Sequence, residues 1–344
     1  DPDYRIGGET LHSRYDQSQL FAGTLFEQEF NGGHRALAGL EVSTEDLRSD
    51  DLPQHPRRSQ GALFASGDLH LHPAGLPLRL YPALRFDIVD DALEERASET
   101  ATQFSPSLGL HLGLLPGTLA FRARVARAFA MPTFNQLYWR EGGNPSLRPE
   151  YSTSFDAGLV HTADGGSAVA ELTVFHHDVT DKIVWAPSSG LYWTPRNVQH
   201  VRSTGVEAQL QLQWERLAVR ANGQWISSRK VNASFAQDAT TGKQLIYVPE
   251  WSGALTFAVA PAVWLDASLT TRLLGQRYYD ESNTAALPAH AIVDLAITAE
   301  AALQGVATTW KAELLNALDA SYEVIAFYPM PGRHLRLSLG VALQ

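Results

Sequence analysis

The sequence predicts an all-β fold, an antiparallel transmembrane β-barrel of about sixteen strands forming a single domain over residues 1–344. Three observations carry this expectation. Apolar and polar side chains alternate strictly, the strands run to about ten residues or more, and the connections are short and long by turns.

The alternation is clearest from Val206 to Trp214. Val206, Ala208, Leu210, Leu212 and Trp214 share one face, and Glu207, Gln209, Gln211 and Gln213 share the other. Successive strand residues point to opposite faces, so this period separates an apolar surface from a polar one. The same division places Leu335, Leu337, Leu339, Val341 and Leu343 opposite Arg336, Ser338, Gly340 and Ala342. Leu78, Leu80, Leu84, Phe86 and Ile88 lie opposite Arg79, Tyr81, Arg85 and Asp87, and Val293, Leu295, Ile297 and Ala299 opposite Asp294, Thr298 and Glu300. A soluble sandwich shares this pattern, so the connections decide between the two.

Short links fall at Asn31-Gly32-Gly33, Pro73-Ala74-Gly75-Leu76, Leu115-Pro116-Gly117-Thr118, Ala163-Asp164-Gly165-Gly166, Glu215-Arg216, Pro261-Ala262 and Gln304-Gly305. Gly, Pro, Asn and Asp supply tight hairpin turns. Longer polar links lie between them, at 48–59, 89–101, 131–149, 187–195, 233–244, 279–289 and 319–332. Short turns on one rim and long loops on the other are the pattern of outer-membrane barrels. Trp214, Trp225, Trp251 and Trp264 suit aromatic girdles at the membrane interfaces.

Composition narrows the alternatives. No stretch approaches the roughly 20 consecutive apolar residues of a spanning helix. Hydrophobic content of 44% suits a barrel, in which every second strand residue faces lipid. Cysteine is absent, so the chain holds no disulfide and no thiolate ligand. A net charge of -10 argues against nucleic acid as a partner. The opening Asp1-Pro2-Asp3-Tyr4 reads as the interior of a longer chain.

Phe129-Ala130-Met131-Pro132-Thr133-Phe134-Asn135-Gln136-Leu137-Tyr138 runs into Gly143-Asn144-Pro145-Ser146-Leu147-Arg148-Pro149-Glu150. Further motifs follow in order: Asp181-Lys182-Ile183, Asn197 with Gly205-Val206-Glu207, Gly275-Gln276-Arg277-Tyr278-Tyr279-Asp280, Asn316-Ala317-Leu318-Asp319, and Tyr328-Pro329-Met330-Pro331-Gly332-Arg333. Together they resemble the C-terminal part of TonB-dependent outer-membrane receptors, nearest to the cobalamin and siderophore group.

The resemblance implies a monomeric receptor in the outer membrane of a Gram-negative bacterium, without a catalytic role or a cofactor. It would import a scarce, bulky metal chelate, energised through the TonB-ExbB-ExbD complex. That family's barrel has about 22 strands and carries an N-terminal plug preceded by a TonB-binding segment. This sequence resembles neither, lacks about six strands, and ends in Leu343-Gln344 where the family has an aromatic residue. Import is therefore expected of a complete receptor and not of this stretch alone. A passive sixteen-stranded porin and a barrel-type outer-membrane enzyme are the alternatives.

Most motif residues read as structural. Pro132, Pro145 and Pro149 stiffen a loop, Gly142-Gly143 allows backbone angles closed to other residues, and Glu207 points into the lumen. Asn144, Leu147, Glu150, Gly205, Gly332 and Arg333 complete this set. Ligand contact is expected from Tyr138, Trp139 and Arg140, from Tyr192 and Trp193, and from Tyr278 and Tyr279. Aromatic rings cover a large ligand at low entropic cost, and arginine adds directed hydrogen bonds. No metal site is expected. His176 and His177 point to opposite faces, His70 and His72 lie near a short turn, and Asp90, Asp91, Glu94, Glu95 and Glu99 lack a calcium-loop spacing.

Overall fold

A computed structural model describes residues 4–6, 9–11, 14–93, 96–187, 193–232, 238–303 and 305–342. Among these residues, fifteen strands form one sheet in which each strand lies beside the next in sequence. They are β1 (Tyr15–Glu29), β2 (Arg35–Ser49), β3 (Arg57–Leu71), β4 (Leu78–Leu93), β5 (Arg96–Leu115), β6 (Leu119–Ala130), β7 (Glu150–Thr162) and β8 (Ala168–Pro187). The series continues with β9 (Trp193–Gln213), β10 (Leu217–Lys230), β11 (Trp251–Ala262), β12 (Leu265–Leu274), β13 (His290–Leu303), β14 (Val306–Leu315) and β15 (His334–Ala342). One short helix, α1 (Phe134–Tyr138), lies between β6 and β7. About sixteen strands were expected over residues 1–344. The difference lies at the N-terminal end, where Tyr4–Ile6 and Glu9–Leu11 pair with each other in a separate small ladder.

The chain divides into two compact units. The first comprises Asp1–His111, Arg124–Phe155 and His177–Val201. Its register aligns Leu40 with Leu63 and Leu63 with Phe86 on one face, all of them exposed. On the other face Glu41 stands beside Ala62, and Ala62 beside Asp87. There Arg85 reaches Glu41 at 2.8 Å and Gln60 reaches Asp87 at 2.9 Å, leaving Asp87 fully buried. Aliphatic side chains exposed and carboxylates buried invert the soluble pattern. A sheet with one face toward hydrocarbon gives this arrangement, because the charges must pair on the face away from lipid.

The second unit comprises Leu112–Ala123, Asp156–His176 and Arg202–Gln344, and it repeats the division. Phe257, Leu269 and Leu295 align across β11, β12 and β13, and each is exposed. On the opposite face Arg272 pairs with Asp294 at 2.5 Å, and Arg336 grips Glu313 through two bonds of 2.7 and 2.9 Å. Trp225 and Trp251 stand opposite each other, both about half exposed. Trp214 and Trp264 lie at short turns and are likewise exposed. This placement suits the expected girdles.

Two links differ from expectation. The residues expected as a link at 89–101 are largely strand, because β4 runs to Leu93 and β5 starts at Arg96. Asp91 is drawn into the ladder by Arg58, and Asp90 accepts from the Thr100 hydroxyl at 2.7 Å. Glu94 and Glu95 lie outside the described residues. The turn expected at Pro261-Ala262 falls at Val263-Trp264, because a register shift between Val259 and Ala262 carries β11 further. An extra residue in a strand displaces the turn without breaking the pairing.

Candidate functional site

The segment from Met131 to Pro149, between β6 and β7, is held by its own side chains first. The Thr133 hydroxyl accepts the Gln136 N–H at 3.2 Å, and the Gln136 side-chain oxygen accepts the Thr133 N–H at 2.9 Å. This capping box satisfies two backbone donors that the start of α1 would otherwise leave open. Gly143 N–H closes the far end on the Trp139 carbonyl at 2.6 Å. Neither Gly142 nor Gly143 adopts a positive φ. They are needed instead for close approach. A Cβ on Gly142 would lie 2.6 Å from the Trp193 carbonyl oxygen, and one on Gly143 would lie 2.5 Å from the Trp139 nitrogen.

The motif residues then pin this segment to the end of β8 and the start of β9. The Asn144 amide donates to the Pro195 carbonyl at 3.0 Å. Asn197 accepts the Arg148 N–H at 2.9 Å and donates to the carbonyls of Arg148 and Asp181 at 3.0 and 2.6 Å. Arg148 pairs with Asp181, whose hydrogen bond and charge hold the guanidinium above its ordinary pKa. The Glu150 carboxylate accepts the Ile183 N–H at 2.7 Å and faces Lys182. Leu147 buries itself against Leu137 and Ile183, with Tyr138 packed on the cluster. Pro132 is buried, and its carbonyl accepts from Arg58 at 2.9 Å. Pro145 is exposed and Pro149 half-buried.

The expected ligand residues fall into two groups. In the first unit, Tyr138 is half-buried and stacks on Phe134, so it serves the core more than the surface. Trp139 meets Trp185 edge-on at 5.9 Å. Arg140 is exposed while its N–H donates to the Asp51 carbonyl at 2.9 Å, and Trp193 is 38% exposed. Gly142 brings Trp139 and Trp193 to the same few ångströms of backbone. Tyr192 lies outside the described residues.

In the second unit, Tyr278 pairs with Ala286 in a two-residue ladder, and its carbonyl accepts the Tyr247 N–H at 2.7 Å. Tyr279 meets Phe327 edge-on at 5.9 Å. Neighbouring Arg277 is buried, and its guanidinium donates to the carbonyls of Glu323 and Val324 at 2.7 and 3.4 Å. Burial pushes this guanidinium below its ordinary pKa, and the Tyr247 phenol opposes that shift. Gly205 is buried at the approach of β9 to its neighbours, where a Cβ would lie 2.3 Å from the Trp225 carbonyl oxygen. Glu207 is not a bare lumenal charge, because the Gln224 amide donates to it at 3.0 Å. Beside Gly332, the Arg333 N–H donates to Asp319 at 2.8 Å, while buried Asn316 bonds both the N–H and the carbonyl of Ala320.

Sequence reasoning missed the pairing of Arg58 with Asp91, the burial of Arg277, and the aromatic residues Trp185 and Phe327. The Thr133-x-x-Gln136 spacing did carry a legible capping signal. The long-range pairs carried none. Among the described residues, no group of three or more His, Asp or Glu side chains is arranged to hold a metal ion.

The family model described as TonB dependent receptor-like, beta-barrel, matches residues 2–316. A vitamin B12 transporter BtuB from Vibrio vulnificus is 31% identical over 122 residues, covering 35% of this chain and 20% of that protein. A second, from Photobacterium profundum, is 30% identical over 183 residues, covering 52% and 28%. Among solved structures, the copper transporter OprC matches with a TM-score of 0.77 at 15% identity, covering 95% of this chain and 57% of that one. BauA, the ferric preacinetobactin receptor of Acinetobacter baumannii, matches with a TM-score of 0.74 at 14% identity, covering 95% and 54%. The chain thus spans about half the length of these solved receptors. With the family model covering most of the chain and the sheet dividing into an exposed apolar face and a charge-paired face, the chain belongs to the TonB-dependent receptors, as part of their β-barrel.

Proposed function

We propose that this chain is barrel sequence of an outer-membrane receptor that imports a metal chelate, of the siderophore or cobalamin kind, with energy delivered through TonB, ExbB and ExbD. The observation that carries the reading is the pinned segment from Met131 to Pro149. Asn144, Arg148, Glu150 and Asn197 fix it to the adjoining ends of β8 and β9, and this fixes the backbone from which Trp139, Arg140 and Trp193 project. A preorganised aromatic and cationic surface suits a large ligand with a delocalised or anionic periphery. The relatives named for vitamin B12, copper and ferric preacinetobactin support the same class.

The test is growth of a strain deleted for the complete receptor on single sources of iron, copper or cobalamin. Loss of growth on one source, restored by the intact gene, is the expected result. Unchanged growth on all of them would remove the chelate reading. Conductance across planar bilayers separates uptake from a passive pore: a receptor stays closed at rest, and a porin conducts constitutively.

A further inference from the structure

Behind the pinned segment, within the first unit, lies a cavity of about 130 Å³. Leu93 and Ala101 line it from β4 and β5, and Met131, Leu137 and Leu147 line it from the pinned segment. Pro132, Pro145 and Pro149 also line it, and Asp91 and Thr100 are its polar lining residues. We propose that this cavity binds a single aromatic ring bearing a hydroxyl group.

Size sets the first limit. An apolar cavity of roughly 150 Å³ accommodates benzene, so 130 Å³ takes one six-membered ring and little more. Rigidity sets the second. The prolines fix their own φ angles, the capping box fixes Thr133 to Gln136, and Arg58 ties Asp91 to the Pro132 carbonyl. Walls held in this way do not collapse when empty, so a ligand meets a preformed site and avoids the cost of ordering one.

The chemistry of the walls selects the ring and its substituent. The Met131 thioether favours an aromatic edge, and a rigid ring loses less conformational freedom on binding than an alkyl chain. Each Asp91 oxygen takes one bond of 2.6 Å from Arg58. An ionised carboxylate has about four acceptor positions, so Asp91 retains capacity for a hydroxyl donor.

The ring could be free in solution or carried on a larger chelate, and the experiment separates the two. The complete receptor, purified in detergent, is titrated with 4-fluorophenol and with fluorobenzene and followed by fluorine NMR. Saturable binding of 4-fluorophenol, tighter than that of fluorobenzene, is expected. Ala101→Val should weaken binding several-fold, and Ala101→Phe should weaken it by at least about tenfold, because each fills the cavity further. Valine suits a strand, so the milder variant keeps the test open if the larger one fails to fold. Heat-dependent gel mobility confirms folding of each.

Only non-saturating partition into detergent, or binding unchanged in both variants, would overturn the site. Equal affinity for the two probes would overturn the hydroxyl assignment. Displacement by free catechol alone assigns the site to a free ring. Displacement by the iron(III) tris-catecholate complex assigns it to a ring carried on a chelate, and displacement by neither counts against an aromatic hydroxyl ligand. Binding is read without an energised membrane, so its failure leaves the uptake reading intact, and failed uptake leaves the cavity intact.

Discussion

The Glu150 carboxylate accepts the Ile183 backbone N–H at 2.7 Å, across 33 residues of sequence. That bond joins the start of β7 to the end of β8, and Lys182 lies 3.4 Å from the second oxygen. Hydrogen bonds to charged groups contribute about 1.5–3 kcal/mol. Glu150→Ala should therefore lower unfolding stability by about 2 kcal/mol, and Glu150→Gln by roughly half as much, since its amide oxygen still accepts. Urea midpoints of the refolded receptor measure both. Equal losses for the two variants would show that the N–H bond is not the operative contact.

Asn197 should matter more than Arg148, although Arg148 carries the charge. The Arg148 side chain is 64% exposed, and its pairing with Asp181 is screened by water and salt. Exposed pairs contribute about 0–1 kcal/mol. Asn197 makes three bonds to backbone groups, which lose their partner when it is truncated. Asn197→Ala should cost about 2 kcal/mol, largely independent of salt, and Arg148→Ala should cost less and lose its effect in high salt. Parallel unfolding curves at two ionic strengths would reveal the opposite order, if it holds.

Gly205→Ala should impair folding through a backbone collision. The added Cβ would lie 2.3 Å from the Trp225 carbonyl oxygen and 2.5 Å from the Phe175 ring. Crowding of this kind costs about 1–3 kcal/mol or more. Shrinking the ring with Phe175→Leu should not rescue the variant, because the carbonyl cannot step aside without breaking the ladder. The yield of heat-modifiable folded protein is the readout, and rescue by the second change would assign the clash to the ring alone.

Asp280 should make the link between β12 and β13 sensitive to acid. Burial works to raise its carboxyl pKa, but bonds from the Ala285 N–H at 2.7 Å and from the Thr284 hydroxyl and N–H outweigh it, and the net shift is downward. A carboxyl lowered on folding stabilises the folded state above its ordinary pKa, near 3.9. That contribution disappears as pH falls through the lowered value. Wild type should therefore exceed Asp280→Asn in stability by a constant margin from pH 5 to 8, and the margin should shrink below about pH 4. A margin that grows on acidification would contradict the assignment.

Much of this fold was legible in the sequence because a barrel strand carries its instructions locally. Each of Val206, Ala208 and Leu210 reports its face through its neighbours, and Asn31-Gly32-Gly33 reports a turn without reference to the rest of the chain. Where tertiary contacts override local composition, the reading failed. Asp90 and Asp91 resemble a solvated loop until Arg58, 33 residues before Asp91, is placed opposite it. The bulge before Val263 moved a turn by two residues and left no compositional trace. At the site, the prolines and glycines of the Asn144 to Glu150 stretch marked a built loop. Its partners Asn197 and Pro195 lie about fifty residues away and could not be assigned from spacing.

The side chains that hold the Met131 to Pro149 segment differ from those proposed to meet a ligand. Thr133, Gln136, Asn144, Arg148 and Glu150 spend their bonds on backbone or on fixed neighbours. Arg140 is exposed, and Trp139 reaches Trp185 through its ring alone. Substitution at these two positions therefore leaves the frame standing. Under the proposed function, a lineage could exchange one nutrient for another by drift at a few aromatic and cationic positions, with the frame of the segment kept throughout.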